Sequence, residues 1–149
     1  MLPEKYAVTS FLESENEILI LLRSEHVITY PGKWGGISGS LDKGKTADEQ
    51  AIVEIEEETG LSREHLRLIK KGEPLIFDDA SLNIRKVIYT YLFHIEDRSK
   101  IKIDWEHKQL KWIKPEDIDK YDAMPKLKET LAQVLSWQNK DASKKTTWR

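Results

Sequence analysis

At 149 residues, 39% apolar and 34% charged, the chain suits a single soluble globular domain, expected over residues 1–138, with no room for a second. A formal net charge of −2 gives no bulk attraction to nucleic acid or to an anionic membrane. Zero cysteines exclude disulfides, thiolate metal sites and cysteine nucleophiles; with no apolar signal core in MLPEKYAVTS and no run near the roughly 20 apolar residues that span a bilayer, the expected compartment is cytoplasmic.

Tyr6 to Leu12 reads as a strand, and Ser14 to Asn16 is turn material. Glu17 to Arg23 carries the unbroken run Ile18, Leu19, Ile20, Leu21 and Leu22, the pattern of a strand buried on both faces. Arg23 closes that run. It is either a solvated strand end or a charged tip that meets substrate. Five of the seven glycines, Gly32, Gly35, Gly36, Gly39 and Gly44, then fall around Lys33 and Trp34, so the backbone here turns tightly or approaches something closely. Such a loop suits a phosphate or a metal. Trp34 could stack on a base, although an aromatic beside a glycine loop is more often core.

Residues Gly39 to Leu61 carry the chemistry. Thr46 with Glu49 forms a capping box, Ala51, Ile52 and Ile55 form an apolar stripe, and Gly60 stands where a left-handed C-terminal cap belongs, which predicts a helix of about three turns. The same helix holds Asp48, Glu49, Glu54, Glu56, Glu57 and Glu58, with no lysine or arginine from Thr46 to Ser62. Like charges three and four residues apart destabilise a helix by about 0.2–0.5 kcal/mol per pair, and carboxylates near its C-terminus oppose the macrodipole. At about 100° per residue, Glu54, Glu57 and Glu58 fall in one arc beside the apolar stripe. Oxygen ligands alone favour a hard divalent ion, Mg2+ or Mn2+. The competing interpretation is a solvated acidic face.

Beyond the helix, Leu66 to Ile69 and Leu75 to Phe77 predict short strands, with a polar loop from Asp78 to Asn83. Val87, Tyr89, Tyr91, Phe93 and Ile95 alternate with Ile88, Thr90, Leu92 and His94, giving a long central strand. Arg85 and Lys86 at its start meet either a diphosphate or water, and His94 reads as a hydrogen-bonded structural histidine. Pro115 to Ile118 starts a short helical turn, and from Pro125 the spacing of Leu127, Leu131, Val134 and Leu135 predicts a closing helix capped by Trp137. The residues from 139 to 149 form a polar tail.

Gly39 to Leu61 resembles the Nudix box of the Nudix hydrolases, G-x5-E-x7-R-E-U-x-E-E-x-G-U with U bulky and aliphatic. Gly39, Glu54, Ile55, Glu57, Glu58, Gly60 and Leu61 match; Lys45 stands in place of glutamate and Val53 in place of arginine. Trp34 to Gly39 is similar to the segment that leads into the box. The resemblance implies an α+β fold, an α/β/α sandwich around a mixed sheet. It further implies Mg2+ or Mn2+ held by Glu54, Glu57 and Glu58 with the Gly39 carbonyl, and a nucleotide substrate whose diphosphate is attacked by water. Catalysis would fall to Glu54 and Glu57, and to Glu106 in the stretch Trp105 to Ile118, where a loop glutamate supplies an extra ligand or the general base in several members. His107 and Asp104 are weaker base candidates. Arg23, Lys33, Trp34, Lys45 and Arg85 would contact substrate, and the resemblance allows a homodimer. The two departures also raise a second expectation, a protein that binds nucleotide without turning it over.

Overall fold

The computed structural model describes residues 1–135, so Trp137 and the polar tail lie outside the described residues. Strands β1 (Glu4–Ser14) and β2 (Glu17–Arg23) are joined by Glu15 and Asn16, both at positive φ (53° and 66°). Two left-handed residues in a row twist a two-residue turn to match the strands it connects. Glu13 Oε2 accepts the Asn16 N–H at 3.0 Å and steadies that turn.

The other edge of β1 runs parallel to β7 (Ile84–His94), in register from Glu4 opposite Arg85 to Glu13 opposite His94. A parallel neighbour requires a long crossover. Here the crossover contains helix α1 (Ala47–Thr59) and strands β5 (Arg67–Lys71) and β6 (Leu75–Asp79), both of which pair antiparallel with the far edge of β7. Strand β2 is flanked by β8 (His107–Ile113) and by the short β3 (Trp34–Gly35), while β4 (Ile37–Ser40) lies along Ala7 to Ser10 of β1.

The two-residue period of the strands sorts the core into two layers. Val8, Leu12, Leu19, Leu21, Tyr91 and Phe93 pack under Ala51 and Ile55 of α1. Phe11, Ile18, Ile20 and Leu92 face the opposite side, against Ile113, Ile118, Leu127 and Leu131, the last two from helix α2 (Leu127–Ala132). The result is a mixed eight-stranded sheet between helices, the α+β sandwich that the sequence implied. Among the described residues, no helix is long and apolar enough to cross a membrane.

Three local expectations shift. Asp78 and Asp79 belong to β6 rather than to a loop, because Asp78 pairs with Arg85 and Asp79 with Ile84 across the hairpin. The Asp79 carboxylate, 7% exposed, then closes the turn by accepting the Ser81 N–H and Oγ–H at 3.1 and 2.7 Å. The strand placed at Leu66 begins at Arg67 and runs on to Lys71. The closing helix stops at Ala132, although Val134 and Leu135 stay buried beyond its end.

Candidate functional site

Helix α1 begins as its sequence dictates. Thr46 Oγ1 accepts the Glu49 N–H at 3.1 Å and Glu49 Oε1 accepts the Thr46 N–H at 3.0 Å, so two of the otherwise unpaired first-turn donors are satisfied. Gly60 closes the helix at φ 80°, its N–H on Glu56 O at 2.9 Å, a backbone shape that costs glycine nothing. Tyr91 of β7 donates its hydroxyl to Asp48 Oδ1 at 2.6 Å and ties the first turn to the sheet. With both ends fixed, the helix is held against β4 and β1, with Glu54 turned to Gly39 and Glu58 to His107 at the start of β8.

The three box glutamates sit in different surroundings. Glu58 is 2% exposed, Glu54 is half-buried and Glu57 is exposed. Burial, then the charges of Glu54, Asp104 and Glu106, push the Glu58 carboxyl up to about 10. Glu54 is raised as well, by burial foremost, against an opposing hydrogen bond from Gln50 and with a further push from Glu57. One oxygen of Glu58, Oε1, is buried with no hydrogen-bond partner. Beside them, the backbone of Gly39 comes so close that a methyl group added there would overlap the Glu54 carboxylate.

A second chain segment is pinned to the same place. The Lys102 N–H bonds Thr59 O at 2.8 Å, and the Ser24 N–H bonds Glu106 O at 2.8 Å. These two bonds hold residues 102–106 between the end of α1 and the end of β2, which brings the charges of Asp104 and Glu106 to bear on Glu58. His107 follows, 6% exposed, with Nδ1 3.1 Å from Asp104 Oδ1 and Nε2 3.8 Å from Glu58 Oε1. Burial holds its imidazole below the ordinary value in spite of Asp104. In the neutral ring, with Nδ1–H given to Asp104, Nε2 presents a lone pair towards Glu58.

The substrate candidates divide. Arg23 is half-buried and braces the loop that follows β2, donating Nε–H to Thr29 O at 2.9 Å and Nη2–H to Thr29 Oγ1 at 3.1 Å. Its charge reaches both His107 and Lys86. Lys33 is engaged by Asp122 at 2.9 Å, and Trp34 packs edge-on to Tyr121 in the α2-side core, as an aromatic beside a glycine loop commonly does. Arg85 bonds Asp78 at 2.8 Å on the exposed hairpin. Lys45 is exposed, its N–H closing a turn on Asp42 O at 3.1 Å. His94 is structural as expected, bonded to the buried Glu13 at 2.6 Å and to Glu96 at 3.0 Å.

Two features escaped the sequence. Gln50, fully buried, donates to Glu54 Oε2 at 2.8 Å and accepts the Asp42 N–H at 2.9 Å. Its spacing four residues before Glu54 was the available signal. On the α2 side of the sheet, Thr9, Ser38, Tyr30, Asp79, Lys86 and Met124 line a small cleft, one residue along β4 from Gly39. Burial lowers the Lys86 ammonium there, 3.9 Å from Asp79. The sheet register brings Thr9, Ser38, Asp79 and Lys86 together, and loops add Tyr30 and Met124.

Among the described residues, no three acidic or histidine side chains are gathered closely enough to hold an ion as they stand. The donor set nevertheless fits one. A buried carboxylate oxygen without a partner, a second carboxylate beside it and a glycine backbone in contact supply hard oxygen ligands and nothing softer.

The NUDIX domain family matches residues 3–138. A curated relative from Escherichia coli, the nucleoside triphosphatase NudI, is 25% identical over 137 residues, spanning 86% of this chain and 94% of its own. Among solved structures, a Caenorhabditis elegans Ap4A hydrolase superposes with a TM-score of 0.68 at 20% identity, over 89% of this chain and 94% of that one. The E. coli dihydroneopterin triphosphate pyrophosphohydrolase reaches 0.72 at 19% identity, over 86% and 92%. Fold, acidic helix and family match agree: the chain belongs to the Nudix hydrolases, enzymes that act on nucleoside diphosphate derivatives.

Proposed function

We propose that this chain is a divalent-metal-dependent pyrophosphohydrolase that cleaves a nucleoside diphosphate linked to a second group. The observation that carries the proposal is the buried Oε1 of Glu58, which lies beside Glu54 without a hydrogen bond and with His107 Nε2 3.8 Å away, an arrangement that costs stability unless a proton or a cation compensates it. Glu54, Glu57, Glu58 and the Gly39 carbonyl would hold Mg2+ or Mn2+. When bound, such an ion neutralises phosphate charge and lowers the pKa of water. The chain's own part is to fix Glu54 against Gly39 and to keep Glu58 out of water. A carboxylate, Glu57 or Glu106, accepts the proton of the attacking water. Arg23 and Lys45 supply positive charge for the phosphates. The names of the relatives differ in what lies beyond the phosphates, so the group is left open among ADP-ribose, nucleotide sugars, dinucleotides and nucleoside triphosphates.

The test is incubation with a panel of these compounds, with Mg2+, Mn2+ or chelator, and mass analysis of the products. Metal-dependent release of a nucleoside monophosphate from one class supports the reading and names the group. Lys45 and Val53 support a second reading, a Nudix-fold nucleotide sensor. It predicts stabilisation by nucleotide with no product from any compound.

A further inference from the structure

Gln50 occupies a place on α1 where an apolar side chain would be the simpler choice. It is 0% exposed and adjoins Ala51 of the core stripe, on a helix that packs against β4 and β1. Burying a primary amide is costly unless its donors and acceptor are used. Both ends are used, and both lead to the site. Nε2 donates to Glu54 Oε2 at 2.8 Å, and Oε1 accepts the Asp42 N–H at 2.9 Å. Turning the amide over would set its NH2 against the Asp42 N–H and its oxygen against the Glu54 carboxylate, two repulsions for two bonds, so chemistry fixes the orientation.

The consequence is a bridge. Glu54 has three rotatable side-chain bonds, and one of its oxygens is tethered to a side chain that is itself tied to the backbone of the loop between Gly39 and Thr46. Glu54 also shares a hydrogen bond with the Glu58 carboxyl, and Gly39 limits where its carboxylate can lie. Groups that orient a metal-binding side chain are worth about 10–100-fold in metal affinity. We propose that Gln50 is a positioning residue that presets the Glu54 carboxylate for a divalent cation and couples it to the Gly39–Thr46 loop. The inference rests on the metal-dependent reading above.

The test titrates Mn2+ into the metal-free full chain and reads free Mn2+ by electron paramagnetic resonance, for wild type, Gln50→Leu, Glu54→Gln and the double variant. Gln50→Leu is expected to weaken Mn2+ binding by about 10-fold or more. In the Glu54→Gln background the same change is expected to add less than about twofold, because the group it positions is gone. Gln50→Met, which keeps the length and lacks the amide, should reproduce Gln50→Leu, and both should melt in chelator within a few degrees of wild type. Binding by Gln50→Leu within about twofold of wild type overturns the proposal. So does an equal further loss in the Glu54→Gln background, or failure of both Gln50 variants to fold without metal, since either outcome makes the amide part of the packing alone. Wild type that takes up no Mn2+ overturns the metal-dependent reading itself, and this inference with it.

Discussion

Glu58 should make the stability of the metal-free protein fall as pH rises. Its carboxyl stands 2% exposed with its pKa pushed from 4.5 up to about 10, by burial first and then by Glu54, Asp104 and Glu106. Between those values the folded chain keeps a proton that the unfolded chain has released. The stabilisation is therefore complete below pH 4.5 and is lost as pH climbs towards 10. One such group gives a limiting slope of about 1.4 kcal/mol per pH unit, or about 3–5 °C in melting temperature for a chain of this size. Glu54 is shifted in the same direction and adds to the slope. A divalent ion reverses the trend, because it binds the carboxylate and must displace the proton, so its stabilising effect grows with pH. Thermal melts followed by circular dichroism from pH 5.5 to 9, in chelator or in Mn2+, measure both effects. Glu58→Gln removes the larger titrating group and should make the chelator series shallower, leaving the smaller contribution of Glu54. A Glu58→Gln slope equal to that of wild type, or Mn2+ stabilisation independent of pH, would refute the placement of this proton.

The remaining predictions concern turnover. Glu57→Gln should lower kcat by at least about 10²-fold through loss of charge at the metal, and near-normal rates would remove Glu57 from the site. Glu106→Gln separates the two base candidates: a loss of about 10²-fold or more with Mn2+ affinity unchanged marks Glu106 as the base, whereas an unchanged rate leaves Glu57. Lys45→Glu with Val53→Arg restores the box; a large gain in rate marks the native chain as a weakened or repurposed hydrolase, and no gain means the departures are compensated elsewhere. Gly39→Ala places a methyl group on the Glu54 carboxylate and should weaken Mn2+ binding by about 10-fold or more, measured by the same titration. Retention of wild-type affinity would show that Glu54 does not need that approach.

The helix and its acids were legible because local rules govern them. Thr46, Glu49 and Gly60 fix where α1 starts and stops whatever surrounds it, and Glu54, Glu57 and Glu58 share an arc by helical geometry alone. The central strand was legible from its two-faced apolar pattern. What the sequence leaves unstated depends on pairing between distant segments. Asp79 reads as a loop acid until its hairpin register places it opposite Ile84 and buries it under Tyr30, whose hydroxyl it accepts at 2.6 Å. His107 looks like a minor neighbour of Glu106, yet it is His107 that is buried within 3.8 Å of Glu58. No window of sequence contains both residues, nor the bonds from Lys102 to Thr59 and from Ser24 to Glu106 that bring them together.

Those bonds also explain why the acids can be gathered at all. Carboxylates left in water would separate, since each loses more by approaching the others than it gains. In this chain the backbone enforces the approach: the end of α1, Gly39 in β4, the segment before β8 and the end of β2 are each held by main-chain hydrogen bonds or strand pairing. The repulsion is then carried by one protonated side chain, Glu58, and by one tethered through an amide, Glu54. A cation held there would have to displace the Glu58 proton and draw the carboxylates closer together than they stand.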